Sequence, residues 1–523
     1  MAIPGGTLGE LGFWNLAQAD PDWVAVVDPE GTGHRAGDIL ARVNQLSHGL
    51  TALGLQVGDG ITSLLPNSIG AVEVYLAALQ SGWYTTPINY HLTAPEVAYI
   101  LVDSEAKAFF ASPRYADVAI AAVAEARFPR DACFSIGGPI DGFRTIDDLR
   151  DRQPTTAPAE RTAGAAMHYT SGTTGRPKGV RRALSALDPD TSAELMAMFL
   201  LLFGIEPGGD NVHLVTSPNY HTAVTQFGGN SLHAGHTLVL MDKWTAEGTL
   251  DAIERHQVTT THMVPTQFHR MLALPEAVRA KYDVSSMRHA IHAAAPCPVD
   301  VKFKMLRWFG PVIYEYYAAT EGGGTLATPQ DWLEHPGTVG NAWPISELRI
   351  VDDDGETLPA GEPGTVYMKM STGDFEYKGD KDKTEANRLE GFFTVGDIGY
   401  LTDDGFLFLN DRKADMIISG GVNIYPAEIE GEILAHPAVG DAAVFGIPND
   451  DWGEEIKAVI EPAEGVDPSD ELGDEILAFL EPRLAKFKWP KTIDFIETMP
   501  RDPTGKLYKR KLRDPYWEGR TAI

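Results

Sequence analysis

Apolar residues recur at helical spacing between Asp38 and Leu53: Ile39, Val43, Leu46, Leu50 and Leu53. Residues three and four apart share one helix face, so this spacing predicts a helix, with Asp38 placed to cap its start. Residues 60–65 read as a short strand that ends at Pro66-Asn67. Residues 71–79 return to helical texture, and 237–241 and 312–316 are further predicted strands. Helical and strand patterns alternate through about the first 400 residues, and such alternation implies parallel sheets covered by helices.

The texture changes near residues 367–408. Short strands and turns take over, with Asp352-Asp353-Asp354-Gly355 and Asp403-Asp404-Gly405 as turn signals. Beyond Asp411-Arg412-Lys413 lies a compact segment with predicted helices at 427–435 and 471–484 and strands at 442–445 and 458–460. The expected fold class is α/β. A large N-terminal domain, residues 1–411, holds βα-layered sheets plus a β-rich subdomain. A small mobile α/β domain follows at 412–523, with the junction at 411–414.

Length agrees with more than one domain, since 523 residues exceed one ordinary core of about 50–250 residues. Charge narrows the partners. The chain carries 43 basic and 73 acidic residues, net -30, which argues against nucleic acid or an anionic membrane as the main partner. A small site can still be locally basic. Cys133 and Cys297 are far apart and match no metal or redox spacing, so reduced thiols in a cytoplasmic protein are expected. Residues 1–10 lack the basic start and apolar stretch of a secretory leader. The apolar run at 195–205, flanked by Glu194 and Glu206, is shorter than the ~20 residues that span a bilayer. It predicts a buried helix.

One segment carries candidate chemistry on composition alone. Residues 169–180 read Tyr169-Thr170-Ser171-Gly172-Thr173-Thr174-Gly175-Arg176-Pro177-Lys178-Gly179-Val180. Glycines let backbone N–H groups gather around an anion, hydroxyls donate to phosphate oxygens, and Lys178 adds a point charge. The spacing is not that of a Walker A loop. Alone, the segment supports nucleotide binding and nothing narrower.

This loop resembles the phosphate loop of the adenylate-forming superfamily, which includes acyl-CoA synthetases. Other motifs follow in the family's order. Pro218-Asn219-Tyr220-His221 resembles the aromatic-His segment before the acyl pocket. His292-Ala293-Ala294-Ala295-Pro296 is similar to the Gly-Gly-Ala-Pro adenine wall, with alanines for glycines. Tyr317-Ala318-Ala319-Thr320-Glu321 resembles Tyr-Gly-x-Thr-Glu, and Thr394-Val395-Gly396-Asp397 resembles Thr-Gly-Asp. Asp411-Arg412 opens the hinge motif, and Pro500-Arg501 through Gly505-Lys506 is similar to the catalytic-lysine motif.

The resemblance implies residue roles. ATP would be held by Thr170, Ser171, Gly172, Thr173, Thr174, Gly175 and Lys178, by the wall residues Ala294 and Ala295, and by Tyr317 against adenine. Asp397 and Arg412 would hold its ribose. Thr320 would bind the α-phosphate and Glu321 a Mg2+ ion, a hard cation suited to a carboxylate. Lys506 would bridge the substrate carboxylate and the α-phosphate. Two anions must meet in this reaction, so a cation between them is what the chemistry needs. The family then rotates its small domain about the hinge so that a thiol reaches the acyl-adenylate. The pivot, commonly Asp or Lys in relatives, is Ala414 here.

Coenzyme A is the thiol the resemblance favours. Ser419-Gly420-Gly421 resembles the stretch lining the pantetheine tunnel, while Trp452, Phe487 and Lys488 match positions that surround the CoA nucleotide. The acyl pocket would involve His221, Ala223, Phe227, Gly322 and Gly323. With no carboxylate at the amine-binding position, an amino acid is unexpected. A large apolar small-molecule carboxylic acid, such as a medium- or long-chain fatty acid or a steroid side-chain acid, is favoured. Aryl acids and transfer to a carrier protein stay open, as does a homodimer.

Overall fold

The computed structural model describes residues 9–170, 177–208, 210–319, 322–370, 376–377, 385, 387–501 and 507–518. The chain divides into two units by its contacts. The first holds residues 1–262, 277–290 and 373–385; the second holds 263–276, 291–372 and 386–523.

In the first unit a fully parallel sheet runs in the order Arg144–Thr145, Cys133–Ser135, Ala106–Ala111, Gly60–Leu64, Tyr84–Pro87, Ala165–Ala166. Helices Ala36–Ala52 and Ile69–Ser81 bury Val43, Leu46, Leu50, Val74 and Leu76 in one core with Trp14, Trp83, Phe110 and Phe134. The Ser68 side chain caps the second of these helices, and Gly82 ends it at φ 73, a left-handed turn that glycine adopts without strain. Asp38 does not cap the helix before it. Arg35 occupies the cap, and Asp38 lies in the first turn, where its charge faces the positive helix end. A second set of parallel strands places Val212–Val215 between Thr237–Leu240 and residues 260–262, with Val24–Val27 beyond Thr237–Leu240.

The apolar run at 195–205 is not one buried helix. It spans the end of helix Pro189–Met198 and a tight 3-10 turn, Phe199–Phe203. Leu200, Phe203 and Ile205 are buried, while Leu195 and Leu201 are exposed. Both cysteines are free thiols. Among the described residues no helix is long and apolar enough to cross a membrane.

The second unit carries the expected β-rich part. Strands Ile313–Ala319, Gly322–Ala327 and Asn341–Ala342 pair antiparallel. A further sheet runs Arg388–Leu389, Phe392–Phe393, Gly364–Met370, Asp397–Leu401, Leu407–Arg412, with Ser346–Val351 also on Gly364–Met370. The last hundred-odd residues form a small α/β body. Its centre is the long hairpin Val439–Asn449 and Gly453–Pro462, of which the predicted strands were only the middles. Helices Pro426–Leu434 and Asp470–Leu480 bury Ile429, Ile433, Ile476 and Leu480 against it.

Candidate functional site

In the first unit the two strands that flank the glycine- and hydroxyl-rich segment pair antiparallel. Thr170 pairs with Lys178, Tyr169 with Gly179 and His168 with Val180. Residues 171–176, including Ser171, Gly172, Thr173, Thr174 and Gly175, lie outside the described residues. The stems are well anchored. The Tyr169 hydroxyl donates to Asp103 at 2.6 Å, and a side chain at Gly179 would meet the Tyr169 ring at 3.1 Å. A side chain there would need the Tyr169 ring to give by a few tenths of an ångström.

His221 precedes helix Thr222–His233, half-buried, with its ring 4.2 Å from that of Tyr220. Ala223 is half-buried on the same helix. Phe227 is buried, between Phe203 at 5.2 Å and His262 at 5.1 Å.

In the second unit Tyr317, Asp397 and Arg412 converge. The Tyr317 hydroxyl donates to one Asp397 oxygen at 2.6 Å, and Arg412 Nε stands 3.4 Å from the other. Strand pairing builds this corner: Asp397 and Arg412 face each other across adjacent antiparallel strands. Gly396, at φ 85, turns the chain into that strand. Asp397 is a buried carboxylate that presents acceptors beside an aromatic ring, which suits a vicinal diol next to a planar base. Thr320 and Glu321, which follow the Tyr317 strand, lie outside the described residues.

Ala294 has φ 74, the left-handed region that favours glycine. This backbone matches the motif that the alanines replace. Ala294 is exposed, and Ala295 after it is half-buried. Gly323, at φ 73, and Gly324 are fixed by close packing. A side-chain carbon at Gly324 would stand 2.7 Å from the Tyr317 carbonyl and 2.8 Å from the Trp343 ring.

Beneath this corner lies a charge cluster that sequence reasoning missed. Lys302 Nζ is 2.6 Å from Glu315, His292 Nε2 is 3.5 Å from the same oxygen, and all three side chains are buried. Burial pushes the Glu315 carboxyl up, and the Lys302 ammonium opposes that shift. Glu315 sits two residues before Tyr317, so the two share a strand face. A lysine inside the apolar stretch of helix Val299–Phe309 was the available signal.

The C-terminal body places the proposed CoA contacts on its surface. Trp452 is 60% exposed, so core packing does not explain it. It lies over Gly420, where a side-chain carbon would meet its ring at 2.5 Å. Ser419 ends one strand of a tight hairpin, with Gly420 at φ 59 and Gly421 at φ 79 making the turn. Phe487 is exposed, and Lys488 is held by both Glu428 oxygens at 2.6 Å. Lys506 lies outside the described residues, but Arg501 and Leu507 on either side of residues 502–506 do not. Arg501 and Leu507 form an antiparallel bridge. Arg501 is bound two-pronged by Asp441, and Lys509 Nζ lies 2.9 Å from Glu430. Asp411 accepts from the Ala427 N–H at 2.8 Å, tying the hinge motif to the start of the following helix.

The comparisons with known proteins show the family. The family model described as AMP-binding enzyme matches residues 13–372, and that of the AMP-binding enzyme C-terminal domain matches 428–506. The long-chain-fatty-acid–CoA ligase FadD13 of Mycobacterium tuberculosis (strain ATCC 25618 / H37Rv) is 34% identical over 515 residues, covering 96% of this chain and 98% of its own. The fatty acid–[acyl-carrier-protein] ligase ScoC of Streptomyces coeruleorubidus is 31% identical over 509 residues, 96% of this chain and 95% of its own. The solved anthranilate CoA ligase AuaEII in complex with anthranoyl-AMP superposes with a TM-score of 0.85 at 25% identity, covering 97% of each chain. The chain therefore belongs to the AMP-binding enzyme family, the adenylate-forming ligases, and is an acid–thiol ligase of the AMP-forming class.

Proposed function

We propose that the protein activates a large apolar carboxylic acid with ATP and transfers the acyl group to coenzyme A. In the first step a carboxylate oxygen attacks the α-phosphorus, and the bond to the leaving pyrophosphate breaks. In the second the CoA sulfur, losing its proton, attacks the acyl carbon and AMP leaves. The observation that carries this reading is the Tyr317–Asp397–Arg412 corner, an acceptor pair and a cation beside an aromatic ring. We assign the ribose hydroxyls to Asp397 and Arg412, and adenine to Tyr317 and the 293–295 wall.

Thr320 and the loop 170–178 take the phosphates, and Lys506 bridges the two anions. Such preorganised charge lowers the cost of bringing anions together, because no solvent must reorganise at the moment of reaction. Mg2+ fits Glu321 together with phosphate oxygens, the mixed set that this ion prefers over an all-protein cage. Among the described residues no group of three or more His, Cys, Asp or Glu side chains forms such a cage. When bound, the ion neutralises phosphate charge.

The domains we assign are 1–411 for adenylation and 412–523 for the lid, pivoting at 411–414. With Ala414 at the pivot, backbone torsions alone carry the motion. Exposed Trp452 and Phe487, with Lys488 and the Ser419–Gly421 turn, form the CoA surface on this reading. An aromatic face can stack on adenine, and Lys488 can exchange Glu428 for phosphate. His221, Ala223, Phe227, Gly322 and Gly323 are assigned to the acyl side. A large apolar acid is supported by the small and apolar character of these positions and by the similarity to FadD13. Transfer to a carrier protein is the second reading, favoured by the similarity to ScoC. Pyrophosphate release measured over a panel of fatty, steroid and aryl acids, with and without CoA, separates them. Release with CoA consumed supports the proposal; release without CoA consumption favours the carrier protein.

A further inference from the structure

Asn67 lies three residues past the strand Gly60–Leu64 and one before the helix cap Ser68, and it is 6% exposed. Its carboxamide spends every strong group on distant backbone. Nδ2 donates to the Ser217 carbonyl at 3.0 Å and to the Met241 carbonyl at 2.9 Å, while Oδ1 accepts from the Asn219 N–H at 2.9 Å. Two carbonyls and one N–H admit a single orientation of the amide. Ser217 and Met241 follow the strands Val212–Val215 and Thr237–Leu240. One side chain thus joins three strand ends at their carboxyl side, the end at which open α/β sheets bind ligands.

A second buried side chain grips the same segment. His168 Nδ1 is 3.3 Å from the Tyr220 carbonyl, which can only accept, so Nδ1 carries the proton. His168 opens the strand His168–Thr170 that leads into the phosphate loop. Burial holds the ring neutral, with its pKa lowered to about 4. Between these grips the His221 N–H donates to the Pro218 carbonyl at 3.2 Å, and the Tyr220 ring meets Tyr90 edge-on at 5.0 Å.

We propose that Asn67 and His168 are positioning residues for the activation step, fixing the segment 217–221, and through it His221, against the strand that leads into the phosphate loop. The proposal rests on the reading of His221 as facing the reacting acid. A misplacement of about 1 Å can cost about 100-fold in rate, so a rigid segment here matters more than its net stability. Backbone carbonyls and N–H groups buried at this junction would otherwise need water, which would leave the segment free to shift.

The test uses the full chain and four variants. Asn67→Asp keeps size and acceptors but removes both donors. Asn67→Ala removes the whole grip. His168→Leu removes the Nδ1 donor, and His168→Asn restores a donor near the same place. Acid-dependent pyrophosphate release by the wild-type protein is established first, so that failure of the parent reading shows itself separately. The expected result is a fall of about 100-fold in kcat/KM for the acid in Asn67→Asp and His168→Leu, with KM for ATP within about threefold of wild type. His168→Asn should recover most of that loss. Lower melting temperatures with kcat/KM for the acid unchanged per folded molecule would overturn the proposal. Equal losses toward ATP and the acid, or no recovery in His168→Asn, would overturn it too.

Discussion

The Tyr317 hydroxyl donates to Asp397 at 2.6 Å, while Arg412 approaches the opposite oxygen of the same carboxylate. One buried acceptor is thereby oriented from both sides. A hydrogen bond to a charged group contributes about 1.5–3 kcal/mol, so Tyr317→Phe should raise KM for ATP by about tenfold or more. Asp397→Asn should raise it further, while KM for the acid changes little. Initial-rate kinetics check this, and an unchanged KM for ATP in both variants would remove the ribose assignment.

The Lys302–Glu315 pair predicts a stability effect distinct from binding. Removing one partner of a buried pair leaves an uncompensated charge and costs about 3–5 kcal/mol. Lys302→Met should therefore lower the unfolding free energy by about that much in denaturant titrations. The double variant Lys302→Met, Glu315→Leu should recover most of it. A single-variant loss under about 1 kcal/mol would mean that the pair is screened by solvent.

Two glycines should respond in opposite directions. Gly324→Ala forces a methyl group against the Tyr317 carbonyl and Trp343, and overpacking of this kind costs about 1–3 kcal/mol. Gly431 lies inside helix Pro426–Leu434 with open space at its side-chain position. Gly431→Ala should stabilise by about 0.5–1 kcal/mol. Thermal melts compare the two, and a stabilising Gly324→Ala would contradict the packing described here.

Buried histidines set a pH dependence. Burial lowers His213 to about 3, with His236 and His262 nearby adding to the effect, and burial lowers His233 to about 3. His233 Nδ1 also accepts the Phe13 N–H at 3.2 Å, which requires a neutral ring. The unfolded chain protonates such rings below about pH 6.5, so it binds more protons than the fold. Stability should fall as pH drops from 7 towards 4, by about 1 kcal/mol per pH unit for each ring. Chemical denaturation at pH 7, 6 and 5 reads this slope, and a flat profile would contradict it.

Much of this was legible along the chain. Periodicity placed the helices at 38–53 and 71–79 within a few residues, because each buries one face. Motif order located Asp397 and Arg412, and strand pairing brought them together. Asn67 was visible only as a residue that stops a strand, since its partners stand 150 and 174 residues away. Motif order matched Trp452 to the CoA surroundings, but an aromatic serves core and surface alike, and only the fold shows it exposed over Gly420. The apolar run at 195–205 misled for a related reason. Hydrophobicity reports a preference for burial, and here the run splits between a helix end that exposes Leu195 and a tight turn that exposes Leu201.

The central claim is an AMP-forming acyl transfer to CoA. The most direct measurement is the product set after incubation with ATP, CoA and an apolar acid, resolved by mass spectrometry. The account predicts AMP, pyrophosphate and acyl-CoA in equal amounts, all three lost without the acid. ADP with inorganic phosphate, or AMP formed with no acyl-CoA for any acid tested, would contradict it.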